Sequence, residues 1–345
     1  MTHADPHRIV PVNGSGSSAE WWLDGHLDLA YLGVAGRAMD RPADGVTGCV
    51  SFPDLQEGPV RIALATIFTE ARAAGQPGGY ADAQDVEGAH RAGLAQLAWY
   101  RACEERGLLR ILRSRGDLDR ATAGPGPLGV VLLMECADPI RSPDEAAWWH
   151  AEGLRVVGLS WAYGSRYAGG NASAGPLTPA GRDLVDAFDA LGILHDVSHL
   201  SDASFDDLLA HTTRPVVASH SNCRALLEPK ERHLTDGQIR AIAARGGVIG
   251  LNLFAAFLAS GRDATLDDCL AQVERVATLV GRNRTALGSD LDGGFGPDRL
   301  PREIRHPRDY GRLADGLAGR GWSASDLNGF RRDNWLRTLR AALPE

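Results

Sequence analysis

The fold is decided by residues 179–220, which read PAGRDLVDAFDALGILHDVSHLSDASFDDLLAHTTRPVVASH. Residues 179–191 and 203–211 space their apolar side chains as amphipathic helices do, and each stretch precedes a short run of Val, Ile and Leu, at 193–198 and 215–220. Helices that alternate with short apolar strands are typical of a parallel α/β architecture.

The same alternation extends along the rest of the chain. The predicted strands are residues 22–27, 61–68, 129–135, 155–160, 193–198, 215–220, 247–253 and 285–290. The predicted helices are residues 85–106, 143–152, 179–191, 203–211, 236–245, 266–280 and 324–342. Eight strand-helix units predict a (β/α)8 TIM barrel. Residues 30–58 carry Gly, Pro and Asp in place of a clear helix, which predicts a long insertion after the first strand.

We predict a polar N-terminal arm over residues 1–20 and a single barrel domain over residues 21–345, because no repeat, charge block or linker marks a second domain. The first twenty residues lack the apolar segment of a signal peptide, and no uninterrupted apolar stretch reaches membrane-spanning length. We therefore expect a cytoplasmic protein with no membrane partner.

The composition limits the class of partner. Hydrophobic residues make up 44% of the 345 residues and charged residues 23%, which suits a globular protein with a sizeable core. The net charge of −8, without any basic run, argues against nucleic-acid binding. Five cysteines, scattered singly, support neither a disulfide framework nor a cysteine-based zinc site. We expect a small molecule or a peptide as the partner.

Metal-ligand residue types follow five of the eight predicted strands. They are His26 and Asp28 after the first strand, Glu135 after the third, His199 after the fifth, His220 after the sixth and Asp290 after the eighth. Each residue alone is more often a loop or cap residue. Their coincidence at the end of the barrel where catalytic groups gather predicts a metal centre, since so many polar groups would be costly to bury unpaired.

The ligand types also restrict the metal. Mixed His and carboxylate ligands suit Zn²⁺, with Mn²⁺, Co²⁺ or Fe²⁺ as alternatives, whereas Ca²⁺ and Mg²⁺ prefer more oxygen ligands. Five protein ligands exceed the need of one tetrahedral ion that keeps a water, but they serve two ions if one carboxylate bridges. The sequence therefore predicts two zinc ions, with the ligands His26, Asp28, Glu135, His199 and His220.

Longer motifs around these positions resemble the membrane (renal) dipeptidase family of zinc peptidases, within the amidohydrolase superfamily. The resemblance runs from about Trp22 to the C-terminus. It is carried by Asp24-Gly-His26-Leu-Asp28 (DGHxD), Leu177-Thr-Pro-Ala-Gly181 (LTxxG), Leu191-Gly-Ile-Leu-His-Asp-Val-Ser-His199 (LGxxxDxSH), Ser219-His220-Ser221 (SHS) and residues 288–293 (GSDxDG).

The resemblance implies a role for each position. One ion would take His26 and Asp28, the other would take His199 and His220, and Glu135 would bridge them. Asp290 would accept the proton of a metal-activated water and pass it to the leaving amine. Arg232, in the segment that matches the family's RNxxD, would hold the substrate's free carboxylate. The implied reaction is hydrolysis of a dipeptide or similar small amide, and the family suggests a homodimer.

The chain departs from the family pattern at three places. Trp161 stands where characterised animal members have a His that binds the substrate and the developing oxyanion, and Trp161 is a candidate for lining an apolar substrate pocket. The family's EGG is Glu135-Cys136-Ala137, and the Asn of RNxxD is His233. Stand-ins for the missing histidine are His150, His195 and His233.

Two alternatives to a dipeptidase stay open. The same two-metal chemistry can act on a lactone, an acylated amino acid or an unusual peptide, since a fold alone does not fix a reaction. A metal-binding protein without turnover is the other alternative. The presence of Asp290 argues against it, because a silent relative has no need of an acid-base group beside the metal.

Overall fold

We describe the protein from a computed structural model, which covers residues 20–227 and 230–345. The predicted N-terminal arm lies outside the described residues, apart from Glu20. The strands are β1 (Trp22–Leu27), β2 (Val60–Phe68), β3 (Glu70–Ala71), β4 (Gly79–Tyr80), β5 (Leu109–Ile111), β6 (Leu128–Glu135), β7 (Leu154–Gly158), β8 (Leu194–Asp196), β9 (Val216–Val217), β10 (Ile249–Leu251) and β11 (Thr285–Leu287).

Helices surround these strands. They are α1 (Leu29–Val34), α2 (Phe52–Glu57), α3 (Val86–Glu105), α4 (Arg115–Ala123), α5 (Ala146–Ala151), α6 (Pro179–Leu191), α7 (Asp202–His211), α8 (Asp236–Ala244), α9 (Leu266–Val280), α10 (Gly311–Gly319), α11 (Ala324–Asn328) and α12 (Asn334–Ala342). Within the described residues, no helix combines the length and the apolar character that crossing a membrane requires.

The predicted TIM barrel is confirmed. Parallel strands follow one another in the order β1, β2, β6, β7, β8, β9, and β10 pairs with β11 in the same parallel sense. Backbone hydrogen bonds from Ala218 N to Val248 O (3.1 Å) and from Gly250 N to Ala218 O (2.8 Å) join the two groups of strands. All eight predicted strands therefore contribute to the wall, each helix following its strand on the outside.

Side chains of α12 close the barrel between β11 and β1. The Trp335 indole N–H donates to Leu287 O at 2.9 Å, and the Asn334 amide donates to Thr285 O at 2.8 Å. These donors satisfy carbonyls of β11 that would otherwise need a neighbouring strand. Beyond them, Asp290 N donates to His26 O at 3.2 Å, so the first and last strands meet directly at the carboxyl end.

A bulge in β1 sets the direction of His26. Asp24 lies opposite Ala63 and Leu27 lies opposite Ala65, so Gly25 and His26 share the single position opposite Leu64 on β2. The bulge turns Asp24 away from the cluster that His26 joins. Asp24 instead accepts hydrogen bonds from Ser289 N at 2.8 Å and the Tyr310 hydroxyl at 2.7 Å, which fixes β1 to the chain after β11.

Several predicted elements have different bounds or more detail than the sequence suggested. The predicted helix over 143–152 begins as a short 3₁₀ turn, and the helix over 324–342 contains a π turn at Gly329–Asp333 between α11 and α12. The predicted insertion over 30–58 holds the short helices α1 and α2. Sequence analysis missed β3, β4, β5, α4 and α10.

Local sequence explains the sharp ends of α6. The Thr178 hydroxyl accepts from Gly181 N, Pro179 occupies the first turn, and Gly192 ends the helix in the left-handed region at φ 74°. These signals place the next strand, β8, immediately after the helix. The chain therefore delivers Asp196 and His199 to the carboxyl end of the barrel.

We expect Gly250→Ala to lower the free energy of unfolding by about 3 kcal/mol, because the new Cβ would lie 1.9 Å from the backbone oxygen of Ser219 on the neighbouring strand. Urea denaturation measures this loss. Gly116→Ala in α4 is the control, since its Cβ would approach nothing closer than 3.6 Å, and we expect little change there. Equal stability of the two variants would contradict this packing of β9 against β10.

Candidate metal centre

The six predicted strand-end residues come together at the carboxyl end of the barrel. Each side chain is buried, with at most 9% of its residue exposed. The groups whose ligand atoms lie within 4.8 Å of one another are Glu135 with His199 and His220, His26 with Asp28 and Asp290, and His26 with Asp196 and His220. The structure therefore brings together every residue that the sequence predicted for the metal centre.

One carboxylate oxygen of Glu135 faces two histidines. Glu135 Oε1 lies 3.1 Å from His199 Nε2 and 3.4 Å from His220 Nε2, and the two ring nitrogens are 3.0 Å apart. The other nitrogens of these rings contact Asn171 Oδ1 at 2.9 Å and Ser219 Oγ at 2.7 Å. When those Nδ1 atoms donate, the Nε2 lone pairs of His199 and His220 and the Glu135 oxygen all face the same point. A cation at that point would stabilise the three groups.

The second oxygen of Glu135 faces His26. His26 Nε2 lies 3.3 Å from Glu135 Oε2 and 3.8 Å from Asp28 Oδ1. Although it is fully buried, His26 Nε2 has no hydrogen-bond partner of good geometry among the described residues. Buried polar atoms rarely stay unpaired, so this nitrogen is oriented as a metal-binding nitrogen would be. The Thr66 hydroxyl donates to Asp28 and fixes the carboxylate beside it.

Burial keeps the two histidines at Glu135 Oε1 neutral. It lowers the pKa of His199 to about 4, and nearby Arg232 adds to the effect. Burial also holds the pKa of His220 well below its usual range. Neutral imidazoles can bind a metal ion through the free nitrogen.

The environment of His26 is different. Burial acts to lower its pKa, but the charges of Glu135, Asp28 and Asp290 outweigh burial and raise the pKa to about 10. For Glu135 burial acts in the opposite direction and would raise the pKa, but the neighbouring histidines outweigh burial and hold this pKa below its usual range. The carboxylates thus concentrate positive charge here, and a bound cation can take the place of the proton on His26.

These residues fit a pair of zinc ions. Ligand atoms about 2.0–2.1 Å from a tetrahedral zinc ion lie roughly 3.3 Å apart. The separations of 3.0, 3.1 and 3.4 Å among His199, His220 and Glu135 are close to that value. The two oxygens of Glu135 face different histidines, as a bridging carboxylate requires. His199 and His220 would hold one ion, and His26 and Asp28 the other.

Asp290 lies at the edge of this cluster, beside His26 and Asp28. The Asn252 amide donates to Asp290 Oδ2 at 2.8 Å, and Asn252 Oδ1 accepts from Phe254 N at 2.7 Å, which fixes the orientation of the amide. One carboxylate oxygen is therefore held by Asn252. Burial and the nearby carboxylates raise the pKa of Asp290, which suits a group that must take up and release a proton.

Backbone strain is concentrated around the centre. His199, Asp290 and Cys136 have φ values of 68°, 60° and 83°, in the left-handed region where a side chain costs free energy. Cys136 follows Glu135, at the position where the sequence departs from the family's glycine. The replacement of glycine by Cys136 therefore falls at a position where the backbone conformation disfavours a side chain. The Cys136 thiol is buried.

Arg232 supplies a buried cation next to the histidines. It is 4% exposed, and its guanidinium donates to His220 O at 2.8 Å and Ser221 Oγ at 3.1 Å. Its Nε has no hydrogen-bond partner among the described residues, and within them the guanidinium forms no ion pair. The guanidinium stacks on Phe257 at 5.0 Å. The charges of Asp290, Glu135 and Asp196 act on this guanidinium from a distance. A buried guanidinium that forms no direct ion pair with a described residue can bind an anionic ligand group.

Trp161 lines one side of the centre. Its ring lies 5.9 Å from the His199 ring, 5.3 Å from Phe68 and 5.4 Å from Tyr163, measured between centroids. Trp161 is only partly buried, and Tyr163 is exposed. The aromatic wall formed by Phe68, Trp161 and Tyr163 therefore presents apolar surface beside the metal ligands.

The three candidate replacements for the family's histidine have different surroundings. His195 pairs with Asp189 at 2.7 Å, as expected for a paired core residue, and His150 lies on α5. His233 is buried beside Arg232, with its ring edge-on to Phe257 at 5.2 Å. Its Nδ1 has no hydrogen-bond partner among the described residues.

Sequence reasoning missed Thr66, Asn171 and Asn252, which contact the ligands or Asp290, and it quoted Asp196 and Ser219 within motifs without giving either a role. The Asp292 carboxylate accepts from Cys49 N and Val50 N, each at 2.8 Å, and fixes the insertion after β1. The polar residues next to the ligands, such as Ser219 before His220, were the available signal.

Comparisons with known proteins agree with this geometry. The family model of membrane dipeptidases (peptidase family M19) matches residues 18–343. An uncharacterised Klebsiella pneumoniae protein from the pqqA 5′ region is 35% identical over 68% of this chain and 89% of its own length. Dipeptidase aclJ of Aspergillus oryzae is 27% identical over 92% of this chain and 76% of its own length.

Solved structures show the same relationship. A Rhodobacter sphaeroides metallopeptidase, crystallised with a phosphinate mimic of the dipeptide L-Ala-D-Ala, superposes with a TM-score of 0.81 at 25% identity, covering 93% of this chain and 99% of that one. A dipeptidase of family M19 gives a TM-score of 0.83 at 25% identity, with 95% and 100% coverage. The chain belongs to the membrane dipeptidase family, peptidase family M19.

Proposed function

We propose that this protein is a zinc-dependent dipeptidase, which hydrolyses the amide bond of dipeptides or similar small substrates that carry a free carboxylate. The observation that carries this proposal is the position of Glu135. Its two carboxylate oxygens face separate sets of histidines, and the buried guanidinium of Arg232 donates to the backbone oxygen of His220. When bound, two zinc ions would lower the pKa of a water molecule and polarise the scissile carbonyl.

The chain's own residues then orient and protonate the substrate. The Arg232 guanidinium binds the carboxylate of the C-terminal residue and so places the amide next to the ligands. Asp290 accepts a proton from the attacking water through the oxygen that Asn252 leaves free. The same carboxyl group gives that proton to the amide nitrogen as the bond breaks. The raised pKa of Asp290 favours the uptake of this proton from the water.

Family membership and the named relatives support a peptide substrate. Two proteins that resemble this chain are called dipeptidases, and the Rhodobacter sphaeroides relative binds a dipeptide mimic. The aromatic wall of Phe68, Trp161 and Tyr163 favours a substrate with an apolar side chain, because such a side chain would cover the exposed surface of Trp161 and Tyr163.

We expect zinc-loaded protein to hydrolyse dipeptides with apolar side chains faster than N-acyl amino acids or lactones of similar size. A hydrolysis screen over L,L and L,D dipeptides, N-acyl amino acids and lactones measures the preference. A chelator should remove the activity, and added zinc should restore it. Preference for lactones would transfer the proposal to a different substrate class, and the absence of any turnover would contradict an enzymatic role.

Asp290→Asn should lower kcat by roughly 10²- to 10⁴-fold, because an amide cannot accept the proton of the attacking water. Zinc analysis of the wild-type protein and of the variant should give two ions per chain in both. The equal metal content serves as the control, since it separates a lost proton acceptor from a lost ligand. A variant with full activity would remove Asp290 from the proton transfer.

Arg232→Lys should raise KM for dipeptides by roughly 10- to 100-fold, since an ammonium group cannot bind a carboxylate with two parallel donors. The matched substrate is the dipeptide amide, which lacks the carboxylate. We expect the wild-type enzyme to lose efficiency on the amide and the variant to lose much less. Equal losses for both enzymes would show that the Arg232 side chain does not bind the carboxylate.

A further inference from the structure

One buried hydroxyl contacts a histidine from each half of the metal centre. Ser219 Oγ lies 2.7 Å from His220 Nδ1 and 3.2 Å from His26 Nδ1. It also lies 2.5 Å from Asp196 Oδ2, while the Ser198 hydroxyl is farther away at 3.4 Å. Ser219 is fully buried and Asp196 is 2% exposed, so these groups must satisfy one another without solvent.

The proton of this hydroxyl has one favoured acceptor. Asp196 Oδ1 accepts from Ser198 N at 3.0 Å and Ser219 N at 2.8 Å, which holds the carboxylate in place. Asp196 Oδ2 is then free to accept the Ser219 proton, and a hydrogen bond to a charged oxygen is stronger than one to a neutral nitrogen. The two lone pairs of Ser219 Oγ remain as acceptors.

Both histidines must consequently donate from Nδ1. Each ring then presents Nε2 to Glu135, His26 toward Oε2 and His220 toward Oε1. His199 does not share this arrangement, since its Nδ1 contacts Asn171. A single hydroxyl therefore fixes the tautomer of two ligands that would belong to different ions.

We propose that Ser219 and Asp196 act as a positioning pair, in which one serine hydroxyl, oriented by one carboxylate, sets His26 and His220 to bind the two metal ions together. This inference rests on the proposed two-metal centre. It predicts that a change in the direction of the Ser219 proton alters metal binding at one of the two positions and that loss of the hydroxyl alters it at both, although neither residue of the pair has to touch an ion.

Asp196→Asn tests the direction of the proton. The backbone N–H groups of Ser198 and Ser219 keep the amide oxygen in the place of Oδ1, so the amide nitrogen takes the place of Oδ2. That nitrogen donates to Ser219 Oγ and turns the hydroxyl proton toward a histidine Nδ1. The histidine that accepts it carries its own proton on Nε2, where it blocks a metal ion.

The experiment compares zinc binding by metal-free wild-type protein, Asp196→Asn and Ser219→Ala in competition with a chromophoric chelator. We expect two tight zinc ions for the wild type. Asp196→Asn should keep one, with the affinity for the second weakened by roughly 10- to 100-fold. Ser219→Ala removes the shared acceptor, so the affinity for both ions should fall. Imidazole ¹⁵N chemical shifts should show an Nε2-protonated ring in Asp196→Asn alone.

The chain offers a matched control for Ser219→Ala. Ser51 is fully buried, and its hydroxyl donates to Asp54 Oδ2 at 2.5 Å, as Ser219 donates to Asp196, but neither residue contacts a proposed ligand. Ser51→Ala should lower the melting temperature of the metal-free protein without changing its affinity for the two zinc ions. Asp54 is left unchanged, because it lies with Glu57 and His306 in a separate group that could hold a metal ion. A similar loss of zinc in Ser51→Ala would overturn the positioning role.

The outcomes separate this inference from the proposed function. If the wild type binds two zinc ions and both test variants bind two with wild-type affinity, the Ser219 and Asp196 assignment is wrong and the metal centre stands. If the wild type binds fewer than two zinc ions, the proposal of a two-metal centre is wrong, and so is the proposal that Ser219 and Asp196 position ligands for two ions.

Discussion

The contact of Glu135 with three buried histidines is the constraint on which the rest of the site depends. A carboxylate at the mouth of an apolar barrel is costly unless each oxygen has a partner. Here one oxygen faces His26 and the other faces His199 and His220, which the barrel supplies from three other strands. The left-handed backbone at His199 lies at the same contact, where the side chain meets the carboxylate from a conformation that costs free energy.

The seam of the barrel links the fold to this chemistry. β1 carries His26 and the chain after β11 carries Asp290, yet the two strands hardly pair. Trp335 and Asn334 of α12 satisfy the carbonyls of β11, and Asp24 binds Ser289 N across the gap. The contacts of α12 and of Asp24 thus stabilise the positions of His26 and Asp290 on the two sides of this seam.

Periodicity predicts the elements that are long and regular, and α6 and α9 have the bounds that the sequence indicated. The three-residue strand β5 is too short to show a period. The bulge at Gly25 and His26 depends on the register with β2, which β1 alone does not encode. Strand-end position indicated the ligands. Asn171 and Asn252 escaped notice because they meet their partners across 28 and 38 residues of chain.

The proposed metal ligands and the aromatic wall beside them differ in how firmly the structure holds them. The proposed ligands lie at strand ends, are buried, and have partners such as Thr66 and Ser219 that leave them little freedom. Trp161 lies after β7 in a turn, where Gly164 N donates to its carbonyl at 2.9 Å, and its ring is partly exposed. A change from His to Trp at this position replaces a polar group with apolar surface and leaves the contacts of Glu135 intact. The wall beside the ligands can therefore change without disturbing them, because none of the hydrogen bonds that orient the ligands in the described residues comes from the side chains of Phe68, Trp161 or Tyr163.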